Sequence, residues 1–159
     1  MSKIIIIFGP TASGKTSYAI KLAQQFENAV VINLDSKQVY KDLFVLSARP
    51  SEAECMGIPH KLFGFLNGNK VCSAGTWADL AIKEIEAAWG TGAQPILVGG
   101  TGLYLNALVE GLSPIPDIPE GFKPNKIADY ERLKKIDAAT ANRLKQSDTQ
   151  RILRALDVY

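Results

Sequence analysis

Apolar residues along the chain fall into short blocks separated by polar, glycine-rich turns. The run Ile4–Phe8 (IIIIF) does not alternate and is almost wholly β-branched, so it reads as a strand buried on both faces. Lys15–Phe26 switches to a helical period, with Ala19, Leu22, Ala23 and Phe26 on one face. Ala29–Leu34 (AVVINL) reads as a second buried strand. Asp35–Leu46 reads as a loop with a short helical turn, and Pro50–Phe65 as irregular. Thr76–Trp89 is predicted to be a helix, with Thr76 as its N-cap and Gly90 and Gly92 as its stop. Pro95–Val98 is a short buried strand ended by Gly99 and Gly100, and Gly102–Val109 returns to helix. Strands alternating with helices imply an α/β fold, a parallel sheet covered on both faces.

After Gly111 the pattern changes. Pro114, Pro116, Pro119 and Pro124 crowd a stretch that no helix or central strand would accept. A boundary is therefore expected there, with residues 1–112 as the α/β core and 113–159 as a Pro-rich connector and small helical segment. Lys126–Lys135 and Thr140–Lys145 read as short helices, and a last helix starts at Asp148 as N-cap and runs to Tyr159. That helix meets neither a glycine cap nor a proline, which leads us to expect a chain that is part of something longer.

Composition narrows the class. With 159 residues, 47% hydrophobic and 21% charged, the chain is in the range of soluble globular domains and large enough for one real core. No apolar run approaches the roughly 20 residues that cross a bilayer, and Ile4–Phe8 is too short for a signal-peptide core, so a cytoplasmic protein without membrane contact is expected. Cys55 and Cys72 have no metal-ligand spacing and the chain has a single histidine, which argues for two reduced thiols rather than zinc. The formal net charge of +2 lies entirely after residue 112. That is compatible with nucleic-acid contact there, but too little to establish it.

Three turns carry the candidate chemistry. Gly9-Pro10-Thr11-Ala12-Ser13-Gly14-Lys15-Thr16 fits GxxxxGK[ST], the phosphate-binding P-loop, between a strand and a helix as that motif requires. Its amides and the following helix N-terminus suit an anion, Gly9 and Gly14 permit the bends, Lys15 adds a point charge, and Thr16 can offer a hydroxyl to Mg²⁺. The motif points to a P-loop NTPase-like sheet but not to the ligand, which could be ATP, GTP or diphosphate. Asp35 ends the second strand at the sheet edge where ligands sit. It could bind Mg²⁺, act as a general base, or cap a turn by accepting the Ser36 or Lys37 amide. Gly99-Gly100-Thr101 makes a further turn at that edge, where Thr101 either faces the ligand or caps the next helix.

Taken in order, GPTASGKT, LDSKQVY, SARPS, IPHKL, SAGTWADLA, LVGGTGLYLNALVEGL and DTQRILRAL resemble the tRNA dimethylallyltransferases, the MiaA-type tRNA isopentenyltransferases. The resemblance implies transfer of dimethylallyl from dimethylallyl diphosphate to N6 of the adenosine 3′ of the anticodon, by a cytoplasmic monomer using Mg²⁺. It implies that Gly9–Thr16 hold the departing diphosphate, with Thr16 beside the metal. It makes Asp35 the base that takes the N6 proton, and Thr101 a residue beside the reacting groups that positions the substrate. It makes Asp35, Ser36, Lys37 and Gln38, and Gln150, Arg151, Ile152, Leu153 and Arg154, contacts to the anticodon stem-loop. The face shared by Gln150 and Arg154, four residues apart, is consistent with that, though an ordinary solvated face would look the same. GFKPNKIADYE spans in a few residues what is usually a longer helical insertion in that family, so a truncated chain or a shortened insertion domain is expected. Other readings are an adenylate isopentenyltransferase, a small P-loop kinase, or an inactive diphosphate-binding core. Ala12, where nucleoside monophosphate kinases usually have glycine, and the lack of an arginine-rich lid count against a kinase, and QRILR favours tRNA.

Overall fold

Four parallel strands, β1 (Ile5–Phe8), β2 (Ala29–Asn33), β3 (His60–Lys61) and β4 (Gln94–Gly99), pair in the order β1-β4-β2-β3. The computed structural model describes residues 3–112 and 127–158. The chain divides into two compact units, 1–112 and 113–159, and the sheet belongs to the first. Phe8 lies opposite Gly99 and Asn33 opposite Val98, so the carboxyl ends of β1, β2 and β4 finish level and their loops open at one edge.

Alternate residues of the two central strands feed opposite cores. Ile32, Leu34 and Leu97 pack against Trp77, Ala81 and Ile85 of α3 (Ala74–Gly90) and Tyr104 and Ala107 of α4 (Gly102–Val109). Val31, Ile96 and Val98 pack against Ala19 and Ala23 of α1 (Lys15–Ala23). Burial on both faces is why these strands are apolar without alternation. β1 departs from the expectation of full burial. It is an edge strand, with Ile5 and Ile7 packed inward, while Ile6 is 37% exposed and Phe8 49%.

Local capping chemistry explains the other departures. The stretch expected to be irregular contains α2 (Glu52–Cys55) and the two residues of β3. Ser51 and Glu54 form a reciprocal capping box, a signal present in SEAE and strong enough to start one short turn. The N-cap of α3 is Ser73 rather than Thr76, because Ser73 has extended backbone and its hydroxyl oxygen accepts the Thr76 amide at 3.0 Å. Helix α1 stops at Ala23, earlier than the apolar period suggests, although Leu22 and Phe26 still pack on the same core. At the other end of α3, Gly92 takes φ 72°, the left-handed conformation that a stop glycine supplies.

In the second unit, α5 (Tyr130–Ile136), α6 (Ala138–Arg143) and α7 (Thr149–Asp157) enclose Leu133, Ala141, Ile152 and Leu156. Asp129, Asp137 and Asp148 cap the three helices through the amides of Arg132, Thr140 and Arg151. The proline cluster, Lys126 and Tyr159 lie outside the described residues.

His60 sits partly buried on β3. Its Nδ1 donates to the Ile58 carbonyl at 2.8 Å, while Nε2 is buried with no partner among the described residues. Desolvation holds its pKa below the usual histidine value, although the Ile58 carbonyl pulls the other way. The unfolded chain therefore takes up a proton that the folded chain refuses. Stability from His60 is present above about pH 6.5 and is lost as the pH falls through the depressed folded value. Urea unfolding is expected to show stability dropping below that pH, with a shallower drop in His60→Asn.

Candidate phosphate site and its neighbouring carboxylate

The loop after β1 turns through two left-handed residues, Ala12 at φ 61° and Gly14 at φ 79°. Gly9, expected to need such freedom, does not take a positive φ; Ala12 takes it instead. Gly14 is the N-cap of α1 and supplies no side-chain cap, so the first amides of the helix face the loop without a side-chain acceptor. The Lys15 ammonium arches back over the loop, donating to the Pro10 carbonyl and, at 3.4 Å, to Ser13 Oγ. Ser13 Oγ also donates to the Pro10 carbonyl at 2.9 Å.

Close backbone approach assembles the rest. A Cβ on Gly99 would lie 2.2 Å from the Leu34 carbonyl group, and one on Gly100 would lie 2.8 Å from the Gly9 oxygen. The Gly9 amide donates to the Gly99 carbonyl at 3.3 Å, and the Thr101 amide to the Leu34 carbonyl at 3.2 Å. Thr101 occupies the N-cap position of α4 but makes no side-chain cap bond. Its Oγ1 accepts the Ser36 amide at 2.9 Å and donates to Ser36 Oγ at 3.4 Å. Thr101 thus ties the third turn to the second.

A cavity of about 140 Å³ results, lined by Thr11 through Ser17, Asp35, Gln38, Ser47, Ala48, Val98 and Gly99. It brings Asp35 into one space with six of the eight P-loop residues; Gly9 and Pro10 shape the loop from behind. Asp35 Oδ1 accepts the Lys37 amide at 2.8 Å, so the turn-capping role exists beside any chemical one. Gln38 is buried, and its Nε2 donates to the Ser47 carbonyl at 2.8 Å, pinning the Ser47–Ala48 wall of the cavity. Gln38 thus both lines the cavity and supports its wall. Lys37 is exposed and Ser36 half-buried. Below the site, Trp77 and Tyr104 stack with centroids 4.6 Å apart, and burial keeps the Tyr104 phenol protonated well above its usual range.

On α7, Gln150, Arg151 and Arg154 are exposed, and Arg151 lies 3.4 Å from the Asp148 carboxylate. Ile152 is fully buried in the second unit and Leu153 half-buried, so the expected five-residue contact narrows to three outward side chains. Ser47 and Ala48 belong to the SARPS stretch of the resemblance, but nothing in their residue types announces a place in the site. Sequence reasoning missed Asn33, whose signal was a lone amide in the apolar run AVVINL.

The IPP transferase family model matches residues 38–159. The chain belongs to the IPP transferase family. A tRNA dimethylallyltransferase of Rhodospirillum rubrum is 46% identical over 98% of this chain and 50% of its own length. One of Erythrobacter litoralis is 50% identical over 98% of this chain and 52% of its own length. The chain thus spans about half the length of the curated relatives it matches. Among solved structures, a eukaryotic dimethylallyltransferase acting on tRNA superposes with a TM-score of 0.86 at 30% identity, covering 100% of this chain and 42% of the other. The tRNA isopentenylpyrophosphate transferase of Bacillus halodurans gives 0.68 at 30% identity, covering 99% and 55%. These neighbours share the parallel α/β, P-loop NTPase-like architecture that the sequence predicts for this IPP transferase chain.

Because Gly99 touches the Leu34 backbone, Gly99→Ala is expected to force β4 and β2 apart and lower stability by about 1–3 kcal/mol. Chemical denaturation would check this.

Proposed function

We propose that this chain carries the diphosphate-binding and proton-accepting machinery of tRNA dimethylallyl transfer. Dimethylallyl diphosphate is the donor, and N6 of the adenosine 3′ of the anticodon is the acceptor. The observation that carries the proposal is that a single cavity is lined by both the P-loop and the Asp35 carboxylate. The names of the relatives and structural neighbours support the same reaction.

In this reading N6 attacks the allylic carbon, the carbon–oxygen bond breaks, and diphosphate leaves with the bonding pair. The P-loop amides and Lys15 stabilise the charge that develops on it. Asp35 takes the proton from N6. Its Oδ1 is occupied by the Lys37 amide, and its Oδ2 has no protein partner among the described residues. Thr101 holds Ser36 and so fixes the start of the loop that meets the nucleotide. Ser36 and Lys37, with Gln150, Arg151 and Arg154 on α7, supply tRNA contacts. Thr16 offers a hard hydroxyl oxygen in the same cavity, which suits Mg²⁺. Bound there, Mg²⁺ would offset diphosphate charge. A cytoplasmic setting goes with a tRNA substrate, and no described helix is long and apolar enough to cross a membrane.

Labelled dimethylallyl diphosphate should transfer its carbon label to an anticodon stem-loop carrying the target adenosine. Transfer to free AMP, or phosphoryl transfer from ATP, would replace the proposal with one of the other enzymes. Lys15→Ala is expected to weaken diphosphate binding about 10- to 100-fold. Asp35→Asn should slow transfer by about 10²–10⁴ while diphosphate affinity changes little. A collapse of affinity in that variant would make Asp35 a metal ligand instead of a base.

A further inference from the structure

Asn33 is fully buried, the last residue of β2, in a run that is otherwise apolar. An apolar residue would serve the core better there, so the amide needs an explanation. Its Oδ1 accepts the Asp35 amide at 2.9 Å, and its Nδ2 donates to the Asp35 carbonyl at 2.9 Å. One side chain thus holds both backbone groups of Asp35. Nδ2 also donates to the Leu62 carbonyl at 3.0 Å, beyond β3, and the Asn33 carbonyl accepts Trp77 Nε1 at 3.0 Å. The clamp is therefore anchored to the segment just after β3, and the Asn33 backbone to α3. With the Asp35 backbone fixed, the remaining freedom is mainly rotation of its side chain, which the Lys37 amide restrains through Oδ1.

We propose that Asn33 is a positioning residue that sets the direction of the Asp35 carboxylate within the phosphate cavity. This rests on the reading of Asp35 as the proton acceptor. Two features separate the clamp from ordinary core packing. It grips Asp35 at both backbone groups, and among the described residues it makes no hydrogen bond to the P-loop, which β1 and α1 carry. Losing it should loosen the carboxylate and leave the anion site intact. Aspartate at 33 could not substitute, because it keeps an acceptor for the Asp35 amide but has no donor for the Asp35 and Leu62 carbonyls.

The test compares Asn33→Leu, close in size but without hydrogen bonds, with Asn33→Ser, which keeps a hydroxyl should the first fold poorly. Three quantities are read in each: calorimetric affinity for inorganic diphosphate with Mg²⁺, amide hydrogen exchange by NMR, and kcat and KM for transfer to the stem-loop. Diphosphate affinity is expected to stay within about twofold. The Asp35 and Lys37 amides should exchange about tenfold faster while the Leu97 amide on β4 is unchanged. Transfer should lose about 10- to 100-fold in kcat at nearly constant KM. Exchange reports on the clamp whether or not a preparation turns over. Unchanged exchange at Asp35 and Lys37 would overturn the proposal. So would a parallel loss at Leu97 and in diphosphate affinity, which would make Asn33 a general core residue. Full transfer by Asp35→Asn would instead remove the base and leave the exchange result on Asn33 standing.

Discussion

The backbone of β4 reaches the carbonyl of Leu34 at Gly99, and the backbone just after it reaches the carbonyl of Gly9 at Gly100, with no side chain between. This close approach brings the ends of three strands to one level, and every element of the site depends on it. The phosphate loop is the turn after β1, the carboxylate stands just beyond β2, and the threonine that ties its own turn to the carboxylate's turn follows β4. The hydrogen bonds among these turns use backbone groups that the parallel ladders leave free at the sheet edge. The residues that bring the strand ends together are thus the ones with nothing to contribute chemically.

Much of this could be read from the sequence. The P-loop has a fixed spacing because its physics is local, an anion wrapped by consecutive amides at the start of a helix. Asp35 could be placed at the ligand edge because a strand's end is marked where its apolar run stops. What could not be read was long-range. IIIIF looked doubly buried because periodicity reports the affinity of side chains for a core and not a strand's rank in the sheet; an edge strand with one packed face gives the same letters. The bond from Gln38 to the Ser47 carbonyl was not legible either, because it exists only once the chain folds back onto Ser47. Ile152 was carried along by the motif around it, although a helix of that period must bury some member of any five consecutive residues.

The site also shows how polar groups can be buried at little cost. The Asn33 side chain makes three hydrogen bonds to backbone groups, Gln38 bonds the loop it supports, and the Tyr104 hydroxyl donates to the Cys72 carbonyl. Each is satisfied by the backbone of a loop, so the same bonds that remove the desolvation penalty also fix the loops bordering the cavity. Stability and geometry are coupled here through backbone carbonyl groups.

β1 carries the phosphate loop and yet pairs on one side only among the described residues. Its free amides and carbonyls, with Ile6 and Phe8 half in water, form a template that another extended segment could join. Any segment that paired there would bear on the strand whose end leads into the glycine-rich turn, so the exposed flank and the cavity are two ends of one strand.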